Sequence, residues 1–267
     1  MEKEKSLDCA RACKCAETLA REAGAKCLEL QSGLGEVHYK TAKDVVTIAD
    51  VTSEKIIVEG LKKEFPEIPV RTEEGGRIAG DSSRYEWIID PVDGTVNFSR
   101  GIPLWGISIA LMECGKPAAC VVFLPALREM YTAVKGGGAF CNGKKIHVSA
   151  TDKLVHAIVS NGDFNVGDWE KTNARNLRNF EREAKSCMRV KCYGSAVIEG
   201  TLTASGRLDV FSMTMSYPWD IAGIALLVTE AGGDATEPDG SGLRFIDGEM
   251  AVFTNGILHS VAVDMLR

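Results

Sequence analysis

The chain lacks any apolar run approaching the ~18 residues that a membrane-spanning helix needs, which excludes a helical membrane protein. It also lacks a basic excess. Thirty-one Lys plus Arg stand against 37 Asp plus Glu, a formal net charge of −6, so nucleic acid is not expected as a main partner. Histidine is scarce, with only His38, His147, His156 and His259, and no two cysteines have C-x2-C spacing. A structural zinc centre is therefore not expected. The stretch MEKEKSLDCARAC has no apolar core or small-residue cleavage site, so no secretory signal is expected. The nine cysteines are odd in number and scattered, which argues against a disulfide framework and for reduced thiols in a cytoplasmic protein.

What is present is ordinary globular composition, 45% hydrophobic and 25% charged over 267 residues. At roughly 150 residues per domain, this suits one large domain or two joined halves. A soft boundary falls near residue 150. Residues 1–150 read as an α+β half that carries most of the candidate site, and 151–267 as an α/β half, together one compact unit. Apolar spacing predicts a helix over 6–30, ended by Gly33 and Gly35. Val45–Ile48 read as a strand, and Asp50 opens a second helix that Pro66 and Pro69 stop. YEWIID at 85–90 reads as a buried strand, ended by Pro91 and Gly94. From Gly106 to about residue 148, strands joined by Gly-rich turns predict antiparallel hairpins. The second half alternates HAIVSNG, a polar helix over 168–186, VKCYG, an apolar helix ending at Gly206, RLDVFSM, and a helix begun by Asp220 and closed at Gly232–Gly233. Helices mixed with hairpins and crossovers give an α+β or layered α/β class.

Two acidic tracts stand out. In WIIDPVDGTVNF, Asp90 and Asp93 sit where a buried strand breaks into a turn stiffened by Pro91. Gly94 lets a ligand approach the backbone, and Thr95 starts a segment whose free amides suit an anion. Carboxylates beside such amides suit a hard divalent cation together with a phosphate. In YPWDIAGIALLVTEAGG, Asp220 occupies a helix N-cap position. Taken singly, Asp220 reads as a cap, Asp90–Asp93 as an Asx turn and Glu73–Glu74 as an exposed loop.

In combination these tracts resemble the inositol monophosphatase family of metal-dependent, lithium-sensitive phosphatases. That family carries an E-E pair, D-P-[IVL]-D-G-[TS]-x-N-F and W-D-x-A-G…E-A-G-G. Here these are Glu73–Glu74, Asp90–Phe98 and Trp219–Gly233, and the likeness extends over nearly the whole chain. The resemblance implies a layered αβαβα sandwich and commonly a homodimer. It implies two to three Mg2+ ions: the first on Glu73, Asp90 and the Val92 carbonyl, the second on Asp90, Asp93 and Asp220, and a weaker third on Glu73 and water. It places phosphate-binding amides at Gly94 and Thr95, and Asp50 as the carboxylate that bonds the Thr95 hydroxyl beside the attacking water. Glu73, Thr95 and Asp50 are thus the implied catalytic group. Lys40 aligns with a basic residue near the metals, in a loop one residue shorter than in the animal enzymes.

The implied substrate is a small phosphorylated polyol or sugar, with inositol monophosphate first. Fructose 1,6-bisphosphate, histidinol phosphate and 3′-phosphoadenosine phosphate are alternatives, as is a regulatory binding protein on the same scaffold. The substrate loop is Gly194–Ser195–Ala196. Seven residues before Asp220, where the animal enzymes have an inositol-contacting glutamate, this chain has Met213, whose thioether is a poor acceptor for a hydroxyl. Asp209 and Tyr217 are candidates for polar contacts instead, with Asp209 equally able to cap a turn. Trp105 reads as packing before it reads as a substrate wall.

Overall fold

The computed structural model describes residues 6–33, 38–41, 44–162 and 164–267. Helix α1 (Cys9–Ser32) starts at Asp8, whose carboxylate accepts the Ala10 and Arg11 amides, and ends at Gly33. Gly35 lies outside the described residues. Strands β1 (His38–Thr41) and β2 (Asp44–Val46) form a small antiparallel ladder. Helix α2 (Ile48–Glu64) begins two residues before Asp50. Thr47, expected in a strand, is the cap. Asp50 reaches back from the first turn to accept the Thr47 amide at 2.8 Å, closing a capping box.

Strands β3 (Val70–Thr72), β4 (Gly76–Ile78) and β5 (Tyr85–Asp93) follow, then the short helix α3 (Thr95–Ser99). Strand β5 runs through Pro91 and does not stop at Asp90. Asp90 pairs with Ser108 and Asp93 with Gly106, so three steps on β5 oppose two on its neighbour. This bulge tolerates a proline without an N–H. It also brings the side chains at 90 and 93 to the same side, where strict alternation would separate them.

The hairpins appear as expected, in β6 (Gly106–Glu113), β7 (Lys116–Leu124), β8 (Glu129–Val134), β9 (Gly138–Cys141) and β10 (Lys144–Lys145). The second half contributes β11 (Ile158–Asn161), α4 (Trp169–Ser186), β12 (Arg189–Lys191), α5 (Ala196–Ala204), β13 (Val210–Ser216) and α6 (Pro218–Glu230). After them come β14 (Asp234–Thr236), β15 (Glu249–Thr254) and α7 (His259–Leu266), which the sequence reading leaves unassigned.

One sheet has the order β10-β9-β8-β7-β6-β5-β3-β4 and the other β12-β11-β13-β15-β14. Helices α1 and α2 cover one face of the first. Helices α5 and α6 fill the space between the two sheets, and α4 and α7 cover the far side. The result is the expected five-layer αβαβα sandwich. Its central layer packs Val197, Ile198, Ile221, Ile224 and Leu227 between Val122 and Tyr131 on one side and Phe211 and Phe253 on the other. All nine cysteines are free thiols.

Candidate metal centre

The bulged end of β5 and the first turn of α6 meet beside the start of α5. There Asp90, Asp93 and Asp220, all buried, each offer a carboxylate oxygen, and these atoms lie within 4.8 Å of one another. Each carboxylate is held. Asp90 Oδ1 accepts the Val92 amide at 3.0 Å. Asp93 accepts the Ala196 amide at 3.2 Å, the Val197 amide at 3.0 Å and the Ser195 hydroxyl. Asp220 Oδ2 accepts the Tyr217 amide at 2.7 Å. The cap of α6 is therefore Tyr217, with Pro218 in the first turn, and Asp220 sits three residues in. Proline suits that first position because it has no N–H to satisfy there.

The cluster is electrostatically strained. Burial first, then the charges of Glu73, Asp93 and Asp220, push the Asp90 carboxyl well above the ordinary range. Burial and the neighbouring Asp93 do the same to Asp220. The three line a cavity of about 760 Å3 together with Glu73, and among the described residues no Lys, Arg, His or Cys lines it. Converging carboxylate oxygens beside a backbone carbonyl are the donor set of a hard divalent cation, and the residues present fit one.

Helix α2 supplies polar contacts that fix three pieces of this rim. Thr95 Oγ1 lies 3.1 Å from Asp50 Oδ1 and 3.0 Å from the Val92 carbonyl. Ser53 Oγ donates to the Pro91 carbonyl at 2.7 Å, pinning the bulge. Glu54 Oε2 accepts the Glu74 and Gly75 amides at 3.2 and 3.1 Å, holding the turn that carries Glu73. Only Asp50 was identified from sequence. Ser53 and Glu54 lie three and four residues further along the same helix, a spacing that could have flagged them.

Gly94 has φ +85°, and a Cβ there would stand 3.0 Å from Ser195 Cβ and 3.1 Å from the Leu104 carbonyl. Only glycine fits. Asn97 Nδ2 donates to the carbonyls of Leu104 and Tyr193 at 2.8 and 2.7 Å, joining the first-half motif to the Gly194–Ser195–Ala196 loop. Met213, Gly194, Ser195 and Ala196 line the cavity, as do Tyr217, Trp219 and Glu199.

Two residues fall elsewhere, and a third is not described beyond its backbone. Asp209 does not line the cavity; it accepts the Ile158 amide at 2.7 Å and the Ser149 hydroxyl, tying β13 to the segment before β11. Trp105 is fully buried, edge-on to Phe98 at 4.9 Å between centroids. Lys40 lies in β1, and its side chain is outside the described set.

Comparison with known proteins identifies the family. The profile of the inositol monophosphatase family matches residues 7–265. The chain belongs to that family. It is 37% identical to an inositol-1-monophosphatase of Mesorhizobium japonicum, over 87% of this chain and 86% of that protein. It is 38% identical to Nus factor SuhB of Pseudomonas aeruginosa, over 77% and 76%. The solved structure of a Thermotoga maritima IMPase superposes with a TM-score of 0.84 at 33% identity, over 94% of each chain. The protein is a phosphomonoesterase of this family.

Proposed function

We propose that the protein hydrolyses a small phosphate monoester in a Mg2+-dependent reaction, with inositol monophosphate or a related polyol or sugar phosphate as substrate. The observation that carries the reading is the convergence of Asp90, Asp93 and Asp220 beside Gly94 and Thr95. Uncatalysed hydrolysis of a phosphate monoester is exceptionally slow, and the dianion repels a nucleophile, so charge neutralisation has to supply most of the rate. Bound Mg2+ supplies that neutralisation and acidifies a water. Glu73, Asp90, Asp93, Asp220 and the Val92 carbonyl would hold the two to three ions.

The remaining chemistry belongs to the chain. The Thr95 hydroxyl has one proton to donate, to Asp50 Oδ1 or the Val92 carbonyl. Its lone pairs remain to accept a hydrogen bond from the nucleophilic water. The amides of Gly94 and Thr95 would receive phosphate oxygens. No His or Cys lines the cavity among the described residues, so in this reading the nucleophile is a water and no phosphoenzyme forms.

Homodimer assembly, lithium inhibition and a cytoplasmic location belong to the same proposal, on the strength of the family resemblance. Among the described residues no helix is long and apolar enough to cross a membrane. A second reading, a regulatory binding protein, draws on the likeness to Nus factor SuhB. The test is phosphate release with and without Mg2+ from inositol 1-phosphate, fructose 1,6-bisphosphate, histidinol phosphate and 3′-phosphoadenosine 5′-phosphate. Mg2+-dependent turnover led by the inositol ester is the expected result. No turnover on any of them by folded, Mg2+-binding protein would favour the regulatory reading.

A further inference from the structure

The candidate metal carboxylates come from three separate pieces of chain, the turn after β3, the end of β5 and the first turn of α6, so something must keep the first turn of α6 in register with the end of β3. Next to the main cavity lies a smaller one of about 380 Å3 that shares Glu73 and Trp219 with it and is also lined by Arg71. Arg71 stands on β3, two residues before Glu73. Its guanidinium carbon lies 5.4 Å from the centroid of the Trp219 ring. Its Nη2 donates to Asp247 Oδ1 at 2.6 Å, reaching the loop before β15. Trp219 in turn stacks on Tyr217, with centroids 5.0 Å apart and planes 4° from parallel. Tyr217 is the residue whose amide binds Asp220.

We infer that Arg71 is a positioning residue for the metal centre, a clamp that holds Asp220 in register with Glu73 through its cation–π contact with Trp219, the stacking of Trp219 on Tyr217, and the Asp247 ion pair. A guanidinium suits the task because one flat group can lie on an indole and donate in its own plane at the same time. The inference rests on the reading of the acidic cluster as a Mg2+ site.

It makes a prediction whose sign separates it from plain electrostatics. Arg71 is a positive charge beside a cation site, so if charge were its only influence, removing it would tighten Mg2+ binding. If Arg71 is a clamp, removing it loosens binding. Calorimetric titration of Mg2+ into substrate-free protein reads the difference directly. Arg71→Ala should weaken Mg2+ binding about tenfold, the scale of lost outer-shell support, while kcat at saturating Mg2+ stays within about twofold. Arg71→Lys, which keeps the charge and loses the planar guanidinium that reaches Trp219 and Asp247 at once, should recover only part of the affinity. Trp219→Leu leaves the charge in place and should weaken binding similarly, with little added effect in the Arg71→Ala background. If Arg71→Ala does not fold, Arg71→Lys and Trp219→Leu carry the same test. Arg77→Ala serves as control, since Arg77 lines the same small cavity but pairs with Glu86 at 3.0 Å and is largely exposed.

Mg2+ affinity that is unchanged or tighter in Arg71→Ala, with Trp219→Leu also unaffected, would overturn the clamp and leave the functional reading standing. An unmodified chain that binds no Mg2+ would overturn both.

Discussion

Asp93 accepts the backbone amide of Val197 at 3.0 Å, so a carboxylate on the first sheet is fixed by the first turn of a helix 104 residues away. The start of α5 thus serves as a mould for a carboxylate of the proposed metal site, its amides setting the angle of Asp93. It also compensates part of the negative charge.

Asp93→Asn tests this arrangement. An amide has one acceptor oxygen where the carboxylate has two, and its NH2 would face amide donors. The substitution removes a charge and no core volume, so far-UV circular dichroism should be unchanged. Phosphate release at ordinary Mg2+ should fall by at least about 10²-fold. Near-native turnover would mean that Asp93 is not a ligand.

How far the residues alone foretell this site depends on what each one packs against. Asp90, Asp93 and Asp220 are legible because motif spacing survives without knowing the fold. Their shared side is not, since it depends on a bulge that sets two residues of β5 opposite one of β6. Helix α4 shows a different limit. It reads as a polar helix, and its buried stripe is Asn176, Asn179 and Glu183. Apolar periodicity cannot reveal a face that docks through hydrogen bonds to Asn161, Ser212 and Thr214. Strands β14 and β15 went unassigned because they follow the last motif, although Met250–Phe253 is an apolar run of strand length.

Magnesium should stabilise the fold as well as support turnover. Without a cation, Asp90 and Asp220 are buried beside further negative charge, and binding relieves that repulsion. At a hundredfold excess over Kd, linkage gives about 2.7 kcal/mol, or roughly 5–10 °C in Tm for a chain of this size. Thermal melts in EDTA and in Mg2+ measure it. Asp220→Asn should lose most of the Mg2+-induced shift, and a full shift in that variant would remove Asp220 from the ligand set.

The polar layer under α4 gives a pH prediction independent of the metal. Glu183 is fully buried, and burial pushes its carboxyl above the ordinary range against the hydrogen bonds from Asn161 and Ser212. Its folded pKa is raised, so its contribution to stability is complete below the unfolded value, about 4.3. That contribution is lost as pH rises through the folded pKa. Glu183→Gln keeps the shape without the charge. It should raise Tm at pH 7–8 by roughly 2–4 °C, about 1 kcal/mol, with the gain shrinking toward pH 4. A lower Tm at pH 7–8 would show that the ionised carboxylate is the better partner there.

Position 213 offers a test of how the leaving group is read. Met213 lies on β13 and lines the same cavity as the carboxylates and the Gly194–Ser195–Ala196 loop. Its thioether offers a polarizable, apolar surface where a carboxylate would accept a substrate hydroxyl. Met213→Glu supplies that acceptor, and a hydrogen bond between a charged group and a hydroxyl contributes about 1.5–3 kcal/mol. The ratio of kcat/KM for inositol 1-phosphate to that for p-nitrophenyl phosphate, whose leaving group carries neither a hydroxyl donor nor a cation, should rise by about tenfold or more. A general loss on both substrates would reflect the added negative charge at an already acidic centre, which is why the ratio and not the absolute rate is the measure. An unchanged ratio would mean that the side chain at 213 does not face the leaving group, and that the substrate is read from the opposite wall by Tyr217 and Trp219.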